Sequence, residues 1–196
     1  MNRAEQFHIK VLNELSTYTT EKVDKYFLKL FLGDDRDKSY WKEIYRQWPQ
    51  YPCYYYQYLA CAVRVLKAKQ VVEIGADRGA STVMLASEGA KVYSVDIRNG
   101  WEYVKSKRVT KLVGDSCDTS LFKNVDLKKT NLWLIDGLHT PEKVQQELQT
   151  YQEYMISGSV IIMDDINQHI DLWKAIPLDK FASVDIHGNG VGIIQI

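Results

Sequence analysis

Asp136, His139, Asp164 and Asp165 are the residues of this chain whose types and placing could do chemistry together. Asp136 ends the run "LWLID", and Asp164 and Asp165 end "SVIIMDD". Unpaired charge is costly at the ends of buried strands, so these acids need partners. Carboxylates crowded at one rim repel each other and raise one another's pKa values unless a cation neutralises them. An imidazole beside them titrates near neutral pH and can take a proton from a hydroxyl. The competing reading makes the acids helix caps or surface groups, with His139 capping the helix that follows.

The elements that must position these residues form a repeating pattern. From residue 68 onward the runs "QVVEIG", "KVYSVD", "VTKLVG", "LWLID" and "SVIIMD" are short, rich in Val and Ile, and end in Gly or Asp. Continuous apolarity suits strands buried on both faces of a parallel sheet. Segments 80–88, 101–107, 118–124 and 141–155 between them have helical length or composition. The alternation predicts a doubly wound α/β domain. "FASVDIH" and "VGIIQI", joined by "GNG", predict a closing antiparallel hairpin with a tight glycine turn. Ligands of such open sheets bind at the carboxyl ends of the strands. Glu73, Asp96, Asp115, Asp136, Asp164 and Asp165 all fall at or near such ends.

Residues 1–67 read differently. Phe7, Val11, Leu12 and Leu15 share one helical face, and Val23, Tyr26, Phe27, Leu30 and Phe31 repeat the stripe. A short helix over 40–47, a turn over 48–52 and a longer helix over 54–67 are expected next. This part is too small to bury much of a core alone, so it reads as a helical cover of the same domain. Its aromatic stretch "YPCYYYQY" is expected to pack on the sheet; the alternative is a wall for a substrate or a second subunit, as in a homodimer.

"VVEIGADRGAST" is a strand, a glycine turn and a helix start. Gly75 permits a sharp turn and close approach of a ligand, and Gly79 opens the helix. A nicotinamide-binding loop requires glycine where Asp77 stands, and that carboxylate would repel a pyrophosphate. The acid Glu73, with Gly75 two residues on and Gly79 four further, resembles motif I of the class I S-adenosylmethionine-dependent methyltransferases. The methionine end of that cofactor is cationic, which suits nearby carboxylates. Asp96 stands where a ribose-binding acid is expected. Asp115 and Ser116 stand where an adenine edge would lie.

Residues 70–196 as a whole resemble that class, whose Rossmann-like sheet also closes with an antiparallel seventh strand. More narrowly, "IDGLHTPEKVQQEL", "SGSVIIMDDI" and "GNGVGIIQI" resemble a small-molecule O-methyltransferase branch. That branch includes macrocin-type sugar methyltransferases and cephalosporin hydroxylase-like proteins. The resemblance implies a Rossmann-like catalytic part over 68–196 binding S-adenosylmethionine through Glu73, Gly75, Ala76, Asp77, Gly79, Ser81, Thr82, Asp96, Ile97, Asp115, Ser116 and Asp136. It also implies a divalent cation, Mg2+ first, on Asp136, Asp164 and Asp165, with Asp136 and His139 serving catalysis on a small-molecule hydroxyl. Catechol-type relatives carry Asn where Asp165 stands and Lys where His139 stands; sugar-modifying relatives are similar in using His. Two other readings compete: a hydroxylase or oxidoreductase on the same fold, and a non-catalytic module that binds the cofactor. For the hydroxylase, His169 is the only second histidine to hand, and it reads as remote.

Composition narrows the partners. The 196 residues carry 25 basic and 25 acidic side chains, a net charge of zero. That balance argues against nucleic-acid and membrane-surface roles. The basic run Lys105, Ser106, Lys107, Arg108 reads as a solvated helix end. Cys53, Cys61 and Cys117 are odd in number and widely spaced, which suggests neither a disulfide framework nor a zinc cluster. No run reaches membrane-spanning length, and the amphipathic, acid-bearing start is unlike a signal peptide, so the cytoplasm is the expected location.

Overall fold

The computed structural model describes residues 1–18, 55–101, 104–186 and 188–196. Its centre is a seven-stranded sheet in the order β3-β2-β1-β4-β5-β7-β6. The strands are β1 (Gln70–Ile74), β2 (Lys91–Asp96), β3 (Val109–Val113), β4 (Leu132–Ile135), β5 (Val160–Met163), β6 (Asp179–Ser183) and β7 (Val191–Gln195). The first five pair in parallel, and β7 runs antiparallel between β5 and β6. This is the expected doubly wound, Rossmann-like sheet, parallel except for its closing hairpin.

The helices are α1 (Arg3–Leu15), α2 (Tyr55–Leu66), α3 (Ala80–Ser87), α4 (Pro141–Tyr151) and α5 (Ile170–Ala175). Alternation along the strands sends side chains to two cores. Val71, Val92, Leu132, Leu134, Val160 and Ile162 pack with α1, α2 and α3. Val72, Ile74, Trp133, Ile135, Ile161 and Met163 pack with Val144 and Tyr151 of α4 and Trp173 of α5. Burial on both faces explains why these strands read as continuous apolar runs.

Helix α1 starts at Asn2, whose side chain accepts from the Glu5 amide at 2.8 Å. Arg3 bridges Asp179 of β6 at 3.2 Å. Arg64 joins Glu14 of α1 to Glu88 beyond α3, at 2.5 and 2.8 Å. His8 is a core histidine, 3.0 Å from the Tyr58 hydroxyl. The helices expected around residues 23–31 and 40–47, the turn at 48–52 and Cys53 lie outside the described residues. Among the described residues no helix is long and apolar enough to cross a membrane.

Four elements differ from expectation. No helix covers the described part of 101–107; Trp101 and Val104 are buried as an irregular brace beneath the glycine loop. Arg108 donates to the Gly89 carbonyl at 2.5 Å instead of lying on a solvated helix end. Segment 118–124 contains only a 3-10 turn, Thr119–Phe122, begun by the Asp118 side chain. The hairpin linker runs over residues 184–190, because pairing stops at Ser183 and Val191 rather than at a two-residue turn.

Candidate active site

The site lies where the strand order changes direction, at the carboxyl ends of β1 and β4. The amide of Asp136 donates to the Ile74 carbonyl at 2.8 Å, so the loops leaving the two strands run side by side. Gly75 has φ +88°, and a Cβ there would stand 1.9 Å from the Asp136 carbonyl oxygen. Only glycine fits that crossing.

Glu73 lies two residues after Val71 and therefore faces α3 rather than the rim. Its register partner on β2 is Ser94. The Ser94 and Thr82 hydroxyls each donate to its carboxylate at 2.5 Å, and Ser81 adds a third hydrogen bond. Glu73 and Thr82 are fully buried and Ser81 nearly so. These three, expected among the cofactor's contacts, meet one another in the packed layer between β1 and α3.

The buried carboxyl of Glu73 titrates above its ordinary value, chiefly through desolvation, despite the three hydroxyls that favour its charged form. A carboxyl raised on folding contributes stability that is complete below its unfolded pKa and lost as pH rises through the folded one. Thermal stability should therefore fall as the pH is raised above about 4. Replacing Glu73 with Gln should flatten that slope, as melting curves across the range would show. An unchanged slope would mean that Glu73 titrates normally.

Asp96 closes β2, and its carboxylate accepts from the amides of Ala76, Asp77 and Arg98 at 3.1, 2.8 and 2.9 Å. It clasps the glycine loop, with Asp77 at φ +43° in the turn and Ile97 exposed beside it. At the end of β3, Asp115 pairs with Lys143 of α4 at 2.5 Å, which holds its carboxyl below the ordinary range. The Ser116 hydroxyl donates to Glu147 at 2.6 Å, and the Ser116 carbonyl accepts from Tyr151. The β3 end is thus tied down by three side chains of α4.

The ends of β4 and β5 bring the acids together. The Asp164 amide donates to the Ile135 carbonyl at 3.0 Å, placing Asp164 beside Asp136. Their carboxyl groups hydrogen-bond, and burial with the Asp164 charge pushes Asp136 well above the carboxylate range. The Tyr55 hydroxyl of α2 donates to Asp136 at 3.2 Å. Asp165 sits at φ +52°, a conformation Asp tolerates better than most residues, and accepts from Gln168 at 2.5 Å. His139 Nε2 stands 3.7 Å from Asp136 and 3.8 Å from Asp165. Thr140, not His139, caps α4, accepting from the Lys143 amide at 3.4 Å.

The three aspartates were expected to act as one ligand set. Among the described residues no three His, Cys, Asp or Glu groups are gathered at ligand distance. Asp136 and Asp164 bond to each other, while the left-handed backbone of Asp165 turns its carboxylate toward Gln168 and His139. The donor chemistry nonetheless suits a hard divalent cation, since oxygen donors of three carboxylates stand at one rim.

Sequence reasoning missed Tyr55, Glu147 and His169. Glu147 had a signal, since Val144, Glu147 and Tyr151 share the buried face of α4 and an acid there interrupts an apolar stripe. Tyr55 was read as packing, and His169 as remote. His169 is buried, and the charges of His139 and Asp165 act on it.

Residues 72–166 match the family model described as "Methyltransferase domain". No curated protein matches the chain. A caffeoyl-CoA O-methyltransferase-like protein from Staphylococcus aureus shares the fold at TM-score 0.62 and 15% identity, over 91% of this chain and 100% of its own. The S-adenosylhomocysteine-bound methyltransferase PaMTH1 of Podospora anserina aligns at TM-score 0.54 and 16% identity, over 71% of this chain and 76% of its own. MycE of the mycinamycin biosynthetic pathway, solved with Mg, S-adenosylhomocysteine and mycinamycin VI, aligns at TM-score 0.44 and 20% identity, over 50% of this chain. This chain spans only 28% of that MycE structure. The matched stretch runs from the glycine loop to the paired acids beyond β5, and over it the chain is similar to a methyltransferase domain.

Proposed function

We propose that the chain transfers the methyl group of S-adenosylmethionine to a hydroxyl of a small, sugar-bearing or phenolic molecule. The observation that carries the reading is His139 Nε2 within 3.8 Å of both Asp136 and Asp165, at a rim shared with the glycine loop. Thr140 makes the helix cap and so leaves the imidazole free of a capping duty. Neighbours of the same fold bear O-methyltransferase names, which agrees with an oxygen acceptor.

Asp136, Asp164 and Asp165 would hold a divalent cation, with Mg2+ favoured by their oxygen donors. Such an ion, together with the sulfonium methyl of the cofactor, supplies an acidified, oriented hydroxyl and an electrophilic carbon. The rest falls to the chain. Asp96 clasps the glycine loop in register, and Tyr55 fixes Asp136 from α2. His139 Nε2 would take the acceptor hydroxyl's proton, with the methyl group and the sulfur leaving group supplied by the cofactor when bound.

Methyl transfer can be screened with glycosylated and phenolic acceptors, while calorimetry compares S-adenosylhomocysteine with NAD. Activity should disappear on chelation and return with Mg2+. Full turnover after chelation would remove the cation from the reading. Tighter binding of NAD would remove the cofactor assignment.

A further inference from the structure

We infer that Glu147 makes the site selective for a 6-aminopurine base, by taking the only proton of the Ser116 hydroxyl and leaving that oxygen able only to accept. The inference rests on the S-adenosylmethionine reading given above.

The base falls at the end of β3. Asp96 at the end of β2 is the ribose-type acid, and β3 lies beyond β2 in the sheet, on the side away from Asp136. The Gly114 amide donates to the Asp96 carbonyl at 3.0 Å, so the turn carrying Asp115 and Ser116 starts beside that acid. Ser116 is half-buried, which leaves part of it open to a ligand.

That turn is held in place without the Ser116 hydroxyl. Lys143 pairs with Asp115 at 2.5 Å, the Asp115 carboxylate accepts from the Cys117 amide at 2.9 Å, and the Tyr151 hydroxyl donates to the Ser116 carbonyl. What the Ser116 bond to Glu147 Oε1, at 2.6 Å, adds is the direction of one proton. Glu147 is 1% exposed, and a Cβ on Gly137 would stand 3.4 and 3.9 Å from its two oxygens, so the carboxyl is packed against the loop leaving β4. Its Oε2 has no hydrogen-bond partner among the described residues. Lys143, the one cation of α4, is committed to Asp115 and Cys117. A buried carboxyl short of donors is costly, so Glu147 keeps the Ser116 proton.

A hydroxyl has one proton and two lone pairs. With its proton on Glu147, Ser116 Oγ offers a ligand lone pairs alone. The 6-amino group of adenine donates and fits. The 6-oxygen of hypoxanthine accepts, and would set lone pair against lone pair. A serine without Glu147 would turn its proton to suit either base. Ser116 therefore touches the base, and Glu147 is the positioning residue that makes it choose.

The test uses the full chain and needs no acceptor. Calorimetry gives the affinities for S-adenosylhomocysteine and S-inosylhomocysteine, which differ only at the base. The wild type should favour the adenine form by about tenfold or more, the usual cost of an unmatched polar pair. Glu147→Met, of similar length but unable to take the proton, should lower that ratio by about tenfold, and Ser116→Ala should do the same. The double variant should lower it no further than either change alone. Melting curves establish that each variant is folded. A structural role for Glu147 would weaken both ligands alike, so an unchanged ratio in folded Glu147→Met overturns the inference. A ratio that falls in Glu147→Met but not in Ser116→Ala, or falls further in the double variant, also overturns it, because Glu147 would then act without Ser116. A wild type that binds both forms equally sinks this inference alone. A wild type that binds neither sinks the cofactor reading, and this inference with it.

Discussion

His139→Ala should reduce methyl transfer by about 10²–10⁴-fold, the usual worth of a positioned general base, and leave the affinity for S-adenosylhomocysteine unchanged. The split between the two readouts follows from the geometry. His139 stands 3.7 and 3.8 Å from the carboxylates of Asp136 and Asp165, whereas the glycine loop is held by Asp96 and Glu73. Removing the imidazole also spares α4, because Thr140 makes the cap. A structural His139 would show instead as a lower melting temperature with turnover retained. Single-turnover methyl transfer, calorimetry with S-adenosylhomocysteine and a melting curve decide the matter on one preparation. Wild-type turnover in the variant would leave the proton without this acceptor.

The sheet was legible in the sequence because its physics is local. A strand buried on both faces is mostly apolar; the runs behind β4 and β5 are wholly so, and those behind β1 and β2 are broken inside the sheet only by the paired Glu73 and Ser94. The acids were legible for the same reason, since Asp136 and Asp164 are the first charges after such runs. Segment 101–107 misled because its length and composition between two strands suit a helix. Trp101 and Val104 instead fill the space beneath Gly79, where a Cβ would come within 2.9 Å of Trp101 and 2.5 Å of Val104. Length and composition do not distinguish a helix from a segment bracing one glycine.

The site was less legible because its supports come from distant parts of the chain. Tyr55 reaches Asp136 across 81 positions, and the Ser116 hydroxyl reaches Glu147 across 31. Neither spacing has a local signature. The role of Glu73 was open to inference from parity. An acid two residues after a core-facing Val71 points at the packed helix, so Ser81, Thr82 and Ser94 were the partners to look for. Asp165 was read as a ligand equivalent to Asp164, yet adjacent residues of a strand point their side chains to opposite faces. The left-handed backbone of Asp165 starts a new 3-10 turn, Ile166–His169.

Gly75→Ala should remove stability and cofactor binding together, and Gly158→Ala separates the two causes. Both glycines have nearly the same backbone, φ +88° and φ +90°. An alanine at either position carries the left-handed penalty of about 1–2 kcal/mol. At Gly158 a Cβ meets nothing within 4 Å, so that penalty is the whole cost. At Gly75 the Cβ would stand 1.9 Å from the Asp136 carbonyl oxygen and 2.7 Å from the Gly137 Cα. Those atoms are backbone, and no change of rotamer relieves the overlap. The loop leaving β4 must move, which adds about 1–3 kcal/mol of overpacking. The total of about 2–5 kcal/mol corresponds to roughly 4–20 °C in melting temperature for a chain of this size. The loop that moves begins with Asp136, so its hydrogen bonds to Asp164 and Tyr55 are disturbed as well. The turn that follows Gly75 is the one whose amides Asp96 accepts, so S-adenosylhomocysteine should bind weakly or not at all. Gly158→Ala should bind it normally while melting a few degrees lower. If Gly75→Ala melts no lower than Gly158→Ala and keeps its affinity for S-adenosylhomocysteine, the two loops do not meet as closely as described, and the cofactor is held elsewhere.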